Sequence, residues 1–275
     1  METKKPPANR FAPFVVLILG FLLIVVHLVS HAGEYFAPIF LHVNHPLTYN
    51  FSTYDTLLKS VVKDDRVDYQ TLKNSKLLNE AVADLSQTDP DHLDSPDEQL
   101  CFWINSYNLL VLKAITDAYP IKTVRQNLNS FGTTKFLIGA KPYSLNDIYQ
   151  NYLVPRLKKN RDAFFLVCGG SLGYPPLLDH AIKPANLKAD AQESAKKFIN
   201  NSRNVYYMPG GKIFGVSPLL KWNEAVLGDP HLFVARYLPP SKLMQVTNVM
   251  STNTVARDFN WWLNDTATAS GKTRN

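Results

Sequence analysis

The apolar positions of the chain change their spacing along its length, and each change marks an element. Phe11 to Val29 reads FAPFVVLILGFLLIVVHLV, a run with no charged residue. At about 1.5 Å per residue, Phe11 to Ala32 spans roughly 33 Å as a helix, against a hydrocarbon core of about 30 Å. The pattern therefore predicts a transmembrane anchor over residues 11–32. From residue 52 the period becomes that of a globular domain. Ser52 to Lys63 carries Tyr54, Leu57, Leu58, Val61 and Val62 at helical spacing, and Leu77 to Leu85 repeats the pattern. Val67-Asp68-Tyr69 reads as a short extended piece. Ser95-Pro96-Asp97-Glu98 has the chemistry of a helix start and opens Gln99 to Tyr119, apolar on nearly every face, hence a buried central helix.

Further on, Lys135 to Ser144 turns around Gly139-Ala140-Lys141-Pro142 as a hairpin, and Ser144 to Leu153 is a helix. Ala163 to Cys168 is a continuous apolar run ending at glycines and reads as a buried strand. Asp190 to Asn200 is helical. Val205 to Met208 and Lys212 to Val216 form a second hairpin around Pro209-Gly210-Gly211. Helices follow from Ser217-Pro218 to Leu227 and from Pro230 to Leu238. Helices with a few hairpin strands give an α+β class: one domain around a central helix, with a small sheet built partly from hairpins. The expected organisation is a basic tail (1–10), the anchor (11–32), a juxtamembrane linker (33–51), the globular domain (52–265) and a polar tail (266–275).

Charge orients the anchor. Lys4, Lys5 and Arg10 precede the apolar run and Glu34 follows it. The positive-inside rule puts the N-terminus in the cytoplasm and the domain on the periplasmic or extracellular side. Ser30-His31-Ala32 also offers a cleavage site, so removal as a signal peptide is the alternative; both deliver the domain to the same side. The net charge is +6, with no basic cluster interleaved with aromatics, which argues against nucleic acid as a partner. The two cysteines, Cys101 and Cys168, lack metal-site spacing, and His31, His42 and His45 sit irregularly in or beside the linker. No metal or cofactor is expected. A Cys101–Cys168 disulfide is an option for an exported domain, though Cys101 falls within the buried helix.

Two segments carry candidate chemistry. Asn105 and Asn108 lie three apart on one helix face, and Trp103 and Tyr107 share another. Amides inside an apolar helix must be hydrogen-bonded, either to a loop they tie down or to a ligand they hold. Cys168-Gly169-Gly170-Ser171-Leu172-Gly173-Tyr174-Pro175-Pro176 follows the expected strand. There Cys168 is a candidate nucleophile, with the amides of Gly169 and Gly170 as candidate oxyanion donors. Gly169-Gly170-Ser171-Leu172-Gly173 matches the serine-hydrolase elbow in letters, but Pro175 and Pro176 fall where its helix should run. His180, just past the loop, is the candidate base. Sequons occur at Asn50, Asn200 and Asn264.

In order along the chain stand Val67-Asp68-Tyr69, Asp97-Glu98-Gln99-Leu100 through Phe102-Trp103-Ile104-Asn105-Ser106-Tyr107-Asn108, and Ser144-Leu145-Asn146-Asp147-Ile148. The Phe165-to-Pro176 stretch, Leu219-Leu220-Lys221-Trp222 and Phe259-Asn260-Trp261 follow. With these the chain resembles the domain of unknown function 547 family (DUF547) over most of residues 52–264. The resemblance transfers no reaction. It implies thiol or acid–base chemistry, because the family pattern has a His near the start of the buried strand, an acid after the Asp-Ile pair, and a second Cys before the two prolines. This sequence departs at all three: Asp162-Ala163-Phe164 lacks the His, Tyr149 stands in place of the acid, and Tyr174 precedes Pro175. Asn105, Tyr107, Asn108, Asp147 and Cys168 are retained. The resulting expectation is a non-catalytic or degenerate binding module, with Asn105, Tyr107, Asn108, Asp147, Gly169, Gly170 and Ser171 around its site and a protein, peptide or glycan as ligand. The alternative is a thiol-dependent hydrolase or acyl transferase using Cys168 and His180. Trp222, Trp261 and Trp262 suit a recognition surface, although aromatic residues are as readily core.

Overall fold

The computed structural model describes residues 50–208, 213–247, 254–256 and 258–269. The anchor over 11–32, its basic tail, the three linker-region histidines and the cleavage-site residues lie outside the described residues. Among the described residues, no helix is long and apolar enough to cross a membrane.

Helix α1 (Ser52–Val61) and α2 (Lys76–Ser86) each bury one stripe, Tyr54, Leu57, Leu58 and Val61 on the first and Leu78, Ala81 and Leu85 on the second. Both belong to the core built around α3 (Pro96–Ala118), in which every residue from Leu100 to Leu112 is buried. The start of α3 is fixed locally. Ser95 Oγ accepts from Glu98 N–H at 3.1 Å, and Glu98 Oε2 accepts from Ser95 N–H at 3.0 Å. This reciprocal pair satisfies donors that the first helical turn leaves free, and Pro96 needs no donor there.

The helix expected from Ser144 to Leu153 changes pitch along its length. A short turn at Leu145–Asp147 opens into a π-helix at Ile148–Leu153 before Val154–Leu157 returns to α. Val154 N–H bonds Tyr149 O, five residues back. Pro155 follows immediately; it has no N–H to offer and its ring crowds the carbonyl four residues earlier, which favours a widened ladder at this point. The wider turn orients two tyrosines at once. Tyr152 stacks on Trp103 with ring centroids 4.0 Å apart, and Tyr149 meets Tyr107 at 5.9 Å.

The strand expected over Ala163 to Cys168 is not a strand. Arg161–Leu166 forms a 3-10 helix, and Ala163, Phe164, Phe165 and Leu166 are all buried in it. A run apolar at every position has no period, so a buried strand and a buried tight helix read alike. Phe165 packs on Phe198 of α4 (Leu187–Asn200) at 5.3 Å and on Phe233 at 5.6 Å. The helix expected up to Leu227 breaks at Asn223 into Pro218–Trp222 and Glu224–Leu227, and the next ends at Ala235.

The α+β class stands, but in place of one sheet the described residues form three small ones. β1 (Val62–Lys63) and β2 (Arg66–Val67) make a hairpin, as do β3 (Phe136–Ile138) and β4 (Lys141–Tyr143). β5 (Val205–Met208) pairs antiparallel with β6 (Ile213–Val216), which β7 (Thr254–Ala256) joins in parallel. The β1–β2 turn is two residues, Asp64 and Asp65, with φ of 48° and 64°. Left-handed backbone at both positions matches the twist of a tight hairpin, and Asp tolerates it better than most side chains.

A C-terminal strap closes the domain. Trp261 O accepts from Val124 N–H, Trp262 O from Leu172 N–H, and Asn264 O from Val67 N–H, while Leu263 N–H donates to Lys122 O and Asn264 N–H to Gly170 O. Five main-chain bonds thus tie three separate segments to residues 261–264.

Candidate functional site

The strap ends against the loop that holds Cys168. Asn108, on α3, fixes that loop from below: its Nδ2 donates to Leu166 O at 2.8 Å, and its Oδ1 accepts from Cys168 N–H at 2.9 Å. Asn105 does the same to the following segment, with Nδ2 donating to Ile182 O at 2.8 Å and Oδ1 accepting from Ile182 N–H at 3.0 Å. Each amide is fully engaged with main chain, as burial in an apolar helix demands.

The thiol is enclosed. Cys168 is 3% exposed. Gly170 N–H points at Sγ from 3.5 Å, and the Asn264 amide lies 3.9 Å away. Asn264 is oriented by Tyr69, whose hydroxyl donates to Oδ1 at 2.9 Å. Burial pushes the thiol up to about 11, against a smaller downward pull from the Gly170 N–H. Tyr69, Tyr107 and Tyr174 lie within electrostatic reach of it; burial raises all three phenols, Tyr174 to about 12. With a pKa near 11, only about one thiol in ten thousand is ionised at pH 7.

The glycines of this loop serve packing. A Cβ on Gly169 would lie 2.3 Å from the Tyr174 ring, and one on Gly170, where φ is 74°, would lie 2.1 Å from Ile115 Cδ1. The Gly170 N–H is directed at sulfur rather than at a neighbouring carbonyl site. Ser171 is 2% exposed, pairs as a β-bridge with Leu263, and is followed by a turn instead of the helix an elbow requires.

The structure keeps two of the sequence candidates apart from the thiol. His180 is held by two carboxylates: Nδ1 contacts Asp179 at 2.8 Å and Nε2 contacts Asp190 at 3.3 Å. Among the described residues it makes no hydrogen bond to Cys168. Burial lowers its pKa, but hydrogen bonds to Asp179 and Asp190 outweigh that, and the net shift is upward. A raised folded-state pKa contributes stability below the ordinary imidazole value of about 6.5 and loses it as pH rises through the folded value. Chemical denaturation of the wild type and His180→Ala should therefore show a larger difference near about pH 5 than near about pH 8.5. A constant difference would contradict this assignment. Asp147 is a cap: it accepts from Ser144 N–H at 2.9 Å and pairs with Lys135 at 2.6 Å, and these bonds hold it well below the usual carboxylate range. It faces solvent, not the thiol.

Tyr69 and Asn264 were not distinguishable as site residues in the sequence. They lie 195 residues apart, and Asn264 presents itself only as a sequon. Buried and bonded through both amide atoms, it is closed to glycosylation in the folded domain. Both cysteines are free thiols. Cys101 lines a separate cleft of about 520 Å³ near the start of α1, and burial raises its thiol to about 12. Two tryptophans expected to suit either core or surface are on the surface: Trp222 is 57% and Trp262 48% exposed. Trp222, Phe259 and Trp261 cluster with tilted and edge-on rings whose centroids are 4.6 to 6.0 Å apart, with the Arg125 guanidinium 5.0 Å from the Trp261 ring.

Residues 90–199 match the family described as "Protein of unknown function, DUF547", the family that the motifs resemble. The match includes α3, the Cys168 loop and most of α4; Val67-Asp68-Tyr69 and the two C-terminal motifs fall outside it. No curated protein and no solved structure matches the chain. Two of the three positions that depart from the family pattern meet in space. Tyr149 and Tyr174 interact electrostatically with each other and with Tyr107, beside Cys168. Where the resemblance implies an acid and a thiol, this chain has two half-buried phenols.

Proposed function

We propose that this chain is a membrane-anchored binding module in which the Cys168 loop is structural, carried on the periplasmic or extracellular side by residues 11–32. The observation that supports it is the state of the thiol. A nucleophilic cysteine needs a lowered pKa, a base within reach and an approach path. Here burial raises the pKa to about 11, the shell is made of neutral phenols and amides, and His180 is engaged elsewhere by two aspartates. The exposed Trp222 and Trp262, with the Arg125–Trp261 pair beside Trp222, give the module large rigid rings with which to engage a protein, peptide or glycan partner. The lipid bilayer is its other partner, through residues 11–32.

The test is alkylation with iodoacetamide across pH, read by mass spectrometry of the Cys168 peptide. In the folded protein Cys168 should stay unmodified up to about pH 9 and react once the protein is denatured. Rapid modification below about pH 8 would favour the thiol hydrolase or acyl transferase instead.

A further inference from the structure

A cleft of about 220 Å³ opens on the far side of Asn264, between the β1–β2 hairpin, the 171–176 loop and the C-terminal end of α4. We infer that it binds a small organic carboxylate. This goes beyond the proposed function and does not depend on the thiol being inert.

Ser171 lines the cleft, and its buried hydroxyl has no hydrogen-bond partner among the described residues. Leaving a buried hydroxyl unpaired costs about 1–3 kcal/mol, so such groups are normally matched by a partner. Charge selects that partner. Asp65 is paired with Lys197 at 2.5 Å, which cancels one acid and one base of the lining. Arg66 and Arg203 remain against Asp64, an excess of one positive charge. Among the described residues, the half-buried Arg66 makes only a long contact, 3.4 Å, to the Asp265 carbonyl. A guanidinium fork so placed retains donors for a carboxylate, which accepts two of them side by side.

The rest of the lining is mixed: Leu172, Tyr174, Pro176 and Phe198 stand beside the amides of Asn201, Asn204 and Asn264. The volume is below the roughly 300–1,000 Å³ of clefts that hold drug-sized ligands, so the ligand is small.

Calorimetric titration of the full chain in neutral detergent micelles tests this with N-acetyl-leucine and its uncharged counterpart N-acetyl-leucinamide. The acid should bind saturably and the amide at least about tenfold more weakly, the loss expected when a charge-assisted hydrogen bond is removed. Arg66→Gln should weaken binding of the acid by about tenfold or more. Ser171→Ala removes an unpaired hydroxyl, so it should fold at least as stably as the wild type and still bind the acid several-fold more weakly. No binding of the acid, equal binding of acid and amide, or undiminished binding in Ser171→Ala and Arg66→Gln would overturn the inference.

Discussion

Asn108→Ala is expected to lower the unfolding free energy by about 2–6 kcal/mol, since it strands two buried main-chain groups at roughly 1–3 kcal/mol each. Those groups are the Cys168 N–H and the Leu166 carbonyl, now held at 2.9 and 2.8 Å. Neither has water within reach to replace the amide, because Leu166 and Cys168 are each 3% exposed. The total stability of a domain is about 5–15 kcal/mol, so the loss should move the urea midpoint strongly. Asn108→Asp sharpens the test. It keeps an acceptor for the Cys168 N–H but removes the donor to Leu166 and introduces a buried charge, so it should be no better tolerated than alanine. A loss below about 1 kcal/mol for Asn108→Ala would mean that the loop is held by other contacts.

Trp103→Ala should cost about 3–5 kcal/mol, the range for removing a large buried aromatic side chain. Trp103 is 2% exposed and touches three rings: Tyr152 stacked at 4.0 Å, Phe102 edge-on at 5.2 Å and Tyr143 at 5.7 Å. It is the point at which α3, the π-helical segment and the β3–β4 hairpin meet. Trp103→Phe retains one ring of the stack and should lose clearly less. Equilibrium denaturation of both variants checks this, and equal losses would show that the Tyr152 stack carries no weight.

What the sequence revealed depended on how local the determining physics was. The central helix was legible to within a few residues because its start is written in four consecutive side chains, Ser95 to Glu98, and those make the observed capping box. The two longer hairpins were legible because glycine and proline punctuate them. The Ala163–Leu166 segment was misread because its apolar residues bury every face and leave no period to count. The enclosure of Cys168 was hidden for a different reason. It is made by Tyr69, Asn108 and Asn264, whose bonds to Asn264, Cys168 and Cys168 span 195, 60 and 96 residues, and the strap that carries Asn264 pairs with main chain 90 to 197 residues away. The glycines after Cys168 suggested free backbone amides, yet two of them make room for Tyr174 and Ile115. Tyr149 and Tyr174 were visible as departures from a family pattern, but their meeting beside the thiol needed the three-dimensional structure.

The central claim, that Cys168 is an enclosed structural thiol, is tested most directly by its ionisation in the folded protein. The Cβ carbon shift of labelled Cys168, followed by nuclear magnetic resonance in a Cys101→Ala background, reports the thiolate alone. The shift should remain that of the thiol up to about pH 9, consistent with a pKa near 11. A midpoint at or below about pH 7.5 would reveal an activated nucleophile and contradict the account.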